Sequence, residues 1–148
     1  MDAFEEKLLR VLCIDDNAMV ADALRRRIGH ENGLEWVGVV AGGADIFERV
    51  VAANPDIVMM DIDIPGVDIF TVLERLTAEC ASMRILMFSG YVSASLVERA
   101  LDCGAWGYLS KNDDVSAVIE GIRRAGKGEL ALSREAIAAR QARQSQGK

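Results

Sequence analysis

The chain is poor in the residues that several kinds of protein need. It has three cysteines in 148 residues, Cys13, Cys80 and Cys103, odd in number and scattered, with no CxxC pair. That excludes a disulfide framework and a thiolate metal site, and leaves three small, reduced, mostly buried apolar side chains. There is one histidine, His30, in the polar turn HENG, so there is no histidine cluster and no candidate for a phosphohistidine relay. No apolar run approaches the roughly 20 residues that span a bilayer. The opening MDAFEEKLLR has neither an apolar core nor a cleavage site, which makes a cytoplasmic location the expectation. Internal repeats are absent too.

Positive charge is also scarce. The net charge is -6, and residues 127–148 alone carry +3, leaving -9 on residues 1–126. An acidic body offers no electrostatic footprint for nucleic acid, and the small basic tail is weak evidence for it. Arg25 to Arg27 form a short basic run, but helical periodicity spreads them around an exposed face.

What is present is an alternation of two periodicities. Short apolar runs at Arg10–Ile14, Leu34–Val40, Ile57–Met60, Ile85–Phe88 and Trp106–Leu109 read as strands. Helical stripes separate and follow them: Val20, Ala23, Leu24 and Ile28, stopped by Gly29; Ile46, Phe47, Val50 and Val51, ended before Pro55; Ile69, Val72, Leu73 and Leu76; Leu96, Val97, Ala100 and Leu101; and Val115, Val118, Ile119 and Ile122. Ile57 to Met60 is apolar on consecutive residues, the mark of a strand covered on both faces. Five βα units in one chain of this length predict a single α/β domain over residues 9–126. The sheet is parallel and doubly wound, with helices on both faces and right-handed crossovers. From Ser133 onward the sequence is rich in Ala, Arg and Gln without a clear apolar face. Residues 127–148 are therefore expected to form a basic, frayed tail or linker remnant rather than a helical extension.

The chemistry-bearing residues fall at strand ends. VLCI runs into Asp15-Asp16, DIVMM into Asp61, ILMF into Ser89, and GYL through Ser110 into Lys111. Open parallel sheets bind ligands just outside the carboxyl ends of their strands, so these groups are expected to share one pocket. Crowded carboxylates repel by about 4 kcal/mol per pair at ~4 Å and an effective dielectric of ~20, which calls for a cation. An all-oxygen ligand set with room for water and phosphate oxygens suits Mg²⁺, and with Asp61 as nucleophile the pocket can make an aspartyl-phosphate. Each group also has a plainer reading. Asp15, Asp16 or Asn17 can cap the first helix, Asp61 and Asp63 can be a solvated turn, Ser89-Gly90 is an ordinary loop dipeptide, and Lys111 can be surface charge. That account needs four coincidences at four strand ends.

At these positions the chain resembles the receiver domain of two-component response regulators. The resemblance rests on Asp15-Asp16 after the first strand, Asp61 followed by Pro65-Gly66, Ser89-Gly90, and Gly107-Tyr108-Leu109-Ser110-Lys111. It implies a flavodoxin-like sheet of order 2-1-3-4-5. Asp61 would accept a phosphoryl group from a sensor histidine kinase or phosphotransfer protein. Asp16 and Asp61 would hold Mg²⁺ with the backbone carbonyl of Asp63, and Asp15 would act partly through water. Lys111 would pair with the phosphoryl oxygens, while Ser89 and Tyr108 would carry the switch to a surface of helix four, strand five and helix five, where an output partner or a second copy would bind.

Two departures from the family pattern stand out. Asp68 is followed by Ile69 where many receivers have glycine, and Asn112 follows Lys111 where proline with a cis bond is common. A non-proline cis bond costs about 3 kcal/mol, so this loop is expected to be trans or strained. Two other readings remain. Asp61-Ile62-Asp63, with Ser89, Lys111 and Asp113-Asp114, resembles the haloacid dehalogenase pattern of phosphatases, although Pro65 and the third-strand position do not fit it. The tail GELALSREAIAARQ resembles the linker into a C-terminal helix-turn-helix, and so points to the receiver portion of a DNA-binding regulator.

Overall fold

In the computed structural model the described residues are 8–146. Residues 1–7 of the opening segment read for a leader, and residues 147–148 of the tail, lie outside them. Six parallel strands form one sheet: β1 (Leu9–Ile14), β2 (Leu34–Val40), β3 (Ile57–Met60), β4 (Arg84–Ser89), β5 (Gly107–Ser110) and β6 (Ala131–Leu132). Their order is β2-β1-β3-β4-β5-β6, which is the expected five-stranded arrangement with a short sixth strand on the far edge. Between them run α1 (Ala18–Ile28), α2 (Ile46–Ala53), α3 (Ile69–Glu79), α4 (Ala94–Asp102) and α5 (Val115–Gly126), and α6 (Arg134–Gln146) follows β6.

Alternation along the strands divides the core in two. Leu12, Ile14, Val58, Met60, Ile85, Met87 and Tyr108 face one side, under Val50 of α2, Leu73 of α3 and Val97 of α4. Val11, Cys13, Ile57, Met59, Leu86 and Leu109 face the other, under Leu24 and Ile28 of α1 and Val118 and Ile122 of α5. Both faces of the central strands are therefore covered, as the unbroken apolar run Ile57–Met60 required.

Register sets where the functional groups emerge. Ile14 pairs with Met60, and Met60 with Met87, so β1 and β3 stop at the same level. Asp15 and Asp61 leave the sheet side by side, joined by Asp61 N donating to the Ile14 carbonyl at 2.9 Å. β4 and β5 run further and stop level with each other, with Ser89 opposite Ser110.

Helix caps resolve one of the plainer readings. Asn17, not the acidic pair, caps α1, its side chain accepting from the amides of Met19 at 3.0 Å and Val20 at 3.3 Å. Asp15 supports that turn by accepting from Asn17 N at 2.9 Å. In the loop before α3 the left-handed residue is Gly66, at φ +75°. Ile69, which replaces the usual glycine, simply opens the helix.

The segment after Gly126 differs from the frayed tail expected. Gly128, at φ +80°, turns the chain out of α5. Ala131 N then donates to the Trp106 carbonyl and Ser133 N to that of Tyr108, each at 3.0 Å, which adds β6 to the edge of β5. Gly107 makes this approach possible, since a β-carbon there would collide with the Ala131 carbonyl. Ser133 Oγ caps α6 by accepting from Ala136 N at 3.0 Å, and Ala136 is buried against the core. The helix is held by the buried Ala136, a serine cap and the Arg143–Glu98 ion pair rather than by a broad apolar stripe, so hydrophobic periodicity gave no sign of it.

Candidate functional site

At the carboxyl edge of the sheet, oxygen atoms of Asp15, Asp16 and Asp61 all lie within 4.8 Å of one another. Asp15 and Asp61 are buried, at 1% and 7% exposure, while Asp16 faces solvent. Lys111 enters from the end of β5. Its Nζ lies 2.8 Å from Asp15 Oδ2 and 3.4 Å from Asp61 Oδ2. Its backbone N donates to the Ser89 carbonyl at 2.9 Å, which fixes the base of the side chain. Asp63 follows in the exposed turn, and its backbone hydrogen-bonds the Asp61 carboxylate.

Three carboxylates against one ammonium leave the cluster two charges short of neutral. Burial, and then the charge on Asp15, hold the Asp61 carboxyl above the ordinary carboxylate range, and Lys111 only partly offsets them. Burial alone would lower the Lys111 ammonium, but Asp15 and Asp61 outweigh it and hold it above its usual value. A divalent cation bound by oxygen donors fits this deficit. Asp15, Asp16 and Asp61 are the residues placed to hold it. Cys13 lies beneath the site and takes no part, because burial and the nearby Asp15 push its thiol up to about 12.

On the other side of Lys111, Ser89 is fully buried and its Oγ accepts from Tyr91 N at 2.9 Å. Tyr108 is also fully buried, pointing inward, and its hydroxyl donates to the Tyr91 carbonyl. Tyr91 therefore joins the serine to the tyrosine through its backbone. Nothing in the sequence marked it, since a backbone contact leaves no residue preference to read. All described peptide bonds are trans, the one before Asn112 included.

The residues read as uninvolved lie elsewhere. His30 is exposed at the far end of α1, and Met59, Met60 and Met87 are buried in strands. Arg25 and Arg26 pair with Asp22 at 2.6 and 3.0 Å, and Arg27 with Glu31 at 2.9 Å. Asp114, which the dehalogenase pattern would use, caps α5 by accepting from Ser116 N at 3.2 Å.

An open parallel sheet with acids and a lysine gathered at its carboxyl edge is a flavodoxin-like α/β domain with its ligand site at the strand ends. The chain belongs to the response regulator receiver domain family, whose model matches residues 11–123. It is therefore a receiver domain of two-component signalling, a phosphoryl-acceptor switch by class. The transcriptional activator protein ExaE of Pseudomonas putida is 35% identical over 115 residues, covering 77% of this chain and 53% of that protein. A protein-glutamate methylesterase/protein-glutamine glutaminase of Geobacter sulfurreducens is 32% identical over 122 residues, covering 81% of this chain and 33% of that protein. Among solved structures, a LuxR-family two-component response regulator from an Aurantimonas species superposes with a TM-score of 0.87 at 24% identity. That match covers 94% of this chain and 99% of the other, and is a likeness of fold. The chain spans about half the length of ExaE and a third of the methylesterase. Among the described residues no helix is long and apolar enough to cross a membrane.

Proposed function

We propose that Asp61 is the phosphoacceptor of this receiver, and that a sensor histidine kinase or phosphotransfer protein is its donor. In the transfer, a carboxylate oxygen of Asp61 forms the new P–O bond as the P–N bond to the donor histidine breaks. Mg²⁺, held by Asp15, Asp16 and Asp61 with the Asp63 backbone, would neutralise charge on the transferring group. Lys111 pairs with the phosphoryl oxygens, for which it must give up part of its contact with Asp15. The observation that carries this reading is the convergence of three carboxylates within 4.8 Å with the Lys111 ammonium at 2.8 and 3.4 Å.

Ser89 and Tyr108 then transmit the change. Ser89 exchanges its contact with Tyr91 N for one with the phosphoryl group, and the Tyr91 backbone passes the movement to Tyr108 and α4. A partner or second copy binding near α4, β5 and α5 meets a face that β6 and α6 already partly cover, so those elements belong to the interface or move aside for it. The exposed side of α1, with its arginines, is a docking face for the kinase. The name of ExaE, a transcriptional activator, supports output as the receiver portion of a DNA-binding regulator in the cytoplasm. The chain stores a phosphoryl group rather than turning over phosphate esters.

Incubation with Mg²⁺ and a small acyl-phosphate donor, followed by intact mass, tests the proposal. One phosphoryl group is expected, abolished by EDTA and absent from Asp61→Asn. Steady release of phosphate from a generic phosphate ester would instead favour the phosphatase reading.

A further inference from the structure

The loop that carries Lys111 is tied to α6 by a hydrogen bond spanning 25 residues of chain. Ser110 is fully buried, and its Oγ donates to Glu135 Oε1 at 2.7 Å while accepting from the backbone N of Asn112 at 3.0 Å. A serine hydroxyl has one proton to give, and a carboxylate can only accept. Glu135 therefore fixes the direction of the Ser110 O–H and leaves the oxygen's lone pairs to the Asn112 amide. Lys111 sits between these two anchored residues, with its own amide on the Ser89 carbonyl at 2.9 Å. The turn is also closed by Asp113 N donating to the Ser110 carbonyl at 3.2 Å, and the Asn112 side-chain amide adds a long contact to the Gly90 carbonyl at 3.5 Å.

Glu135 is in turn placed by the seating of the C-terminal segment. Ser133 holds the Tyr108 carbonyl on one side and caps α6 on the other. At the far end of the helix, Arg143 reaches Glu98 at 3.0 Å and Ser95 at 3.2 Å on α4. One helix thus touches both the lysine loop and α4.

We propose that Glu135 is a positioning residue for Lys111: acting through Ser110, it fixes the loop from which Lys111 reaches Asp15 and Asp61. The seating of β6 and α6 is thereby coupled to phosphoryl transfer. This rests on the reading of Asp61 as acceptor. The coupling is reciprocal: whatever lifts α6 slackens the lysine loop, and a phosphoryl group that draws Lys111 away loosens α6 by the same factor.

Three measurements on the full chain test it. In metal-free protein, amide hydrogen exchange at Asn112 should quicken about fivefold in Glu135→Ala, the effect of losing one hydrogen bond at a site open to water. Labelling by the acyl-phosphate donor with Mg²⁺ should slow by a similar factor. Ser110→Ala, which also removes the acceptor of the Asn112 amide, should lose at least as much, the double variant should be no worse than Ser110→Ala alone, and Glu135→Gln, which keeps an acceptor, should stay within about twofold of the native chain. Mg²⁺ affinity should change far less than labelling, because the three acids directly follow β1 and β3, outside the Lys111 loop. Native exchange and labelling in Glu135→Ala would overturn the proposal. So would a Glu135→Gln protein as impaired as Glu135→Ala, or a loss of Mg²⁺ affinity equal to the loss of labelling. Labelling that survives Asp61→Asn would remove the acceptor assignment, whereas labelling confined to Asp61 but indifferent to Glu135 would remove only the coupling.

Discussion

Replacing Asp61 with asparagine should stabilise the metal-free protein. Asp15, buried beside it with oxygens within 4.8 Å, repels it by about 3.5 kcal/mol at an effective dielectric of about 20. Asp16 is exposed, and water screens its contribution to about 1 kcal/mol. Lys111 at 3.4 Å returns about 5 kcal/mol, so the charges nearly cancel. Burial then decides the sign. An ionised carboxylate withdrawn from water without its cation is a net cost of about 1 kcal/mol, the lower end for a polar group at such a site. The raised Asp61 pKa has the same origin. Its sign means that Asp61 favours folding below the ordinary carboxylate range, and that this contribution is lost as pH rises through its own titration. In EDTA at neutral pH, Asp61→Asn should melt about 2 to 4 °C above the native chain. The gap should close as pH falls and the native carboxyl takes up its proton, and millimolar Mg²⁺ should raise only the native protein strongly. A variant that melts lower than the native chain in EDTA, with the same Mg²⁺ response, would refute the electrostatic reasoning.

Further outcomes follow from the same geometry. Asp16→Ala should remove most of the Mg²⁺-dependent rise in melting temperature, since the exposed acid supplies one of three oxygen donors and the unfolded chain has no such site. Ser89→Ala should leave labelling of Asp61 largely intact while shrinking the phosphorylation-dependent change in Trp106 fluorescence. One hydrogen bond to a charged group is worth about 1.5 to 3 kcal/mol, against the ~5.5 kcal/mol of a full 1:99 to 99:1 swing, so switching in the native chain should be partial. Full switching in Ser89→Ala and in Tyr108→Ala would contradict the route through Tyr91. Gly107→Ala should unseat β6 by collision with the Ala131 carbonyl, read as faster amide exchange at Ala131 and Ser133, while Mg²⁺ binding at Asp15, Asp16 and Asp61 persists.

The parallel βα alternation and the convergence at its edge were legible because both follow from periodicity, while the strand order came only with the resemblance to the receiver family. Consecutive apolar residues such as Ile57–Met60 mark a strand covered on both faces, and the residue after each such run must emerge at the ligand edge. Asp15, Asp16, Asp61, Ser89 and Lys111 were found in this way, and the structure gathers the three acids together with the lysine on Asp15 and Asp61, and Ser89 beside its backbone. β6 and α6 were not legible. A two-residue strand has no period, and α6 packs through Ala136 and a serine cap rather than an apolar stripe. The pairing of Ser110 with Glu135 also left no local signal, because it depends on where Gly128 turns the chain. Tyr91 acts through its backbone, which any residue can supply.

The assignment of Asp61 is tested most directly by locating the phosphoryl group. After labelling with an acyl-phosphate donor and Mg²⁺, borohydride reduction converts an aspartyl-phosphate to homoserine, and peptide sequencing by mass spectrometry then reads the position. The predicted result is homoserine at residue 61 alone, in the peptide that follows Met60. Homoserine at Asp15, Asp16 or Asp63, or a labelled chain with Asp61 unmodified, would contradict it.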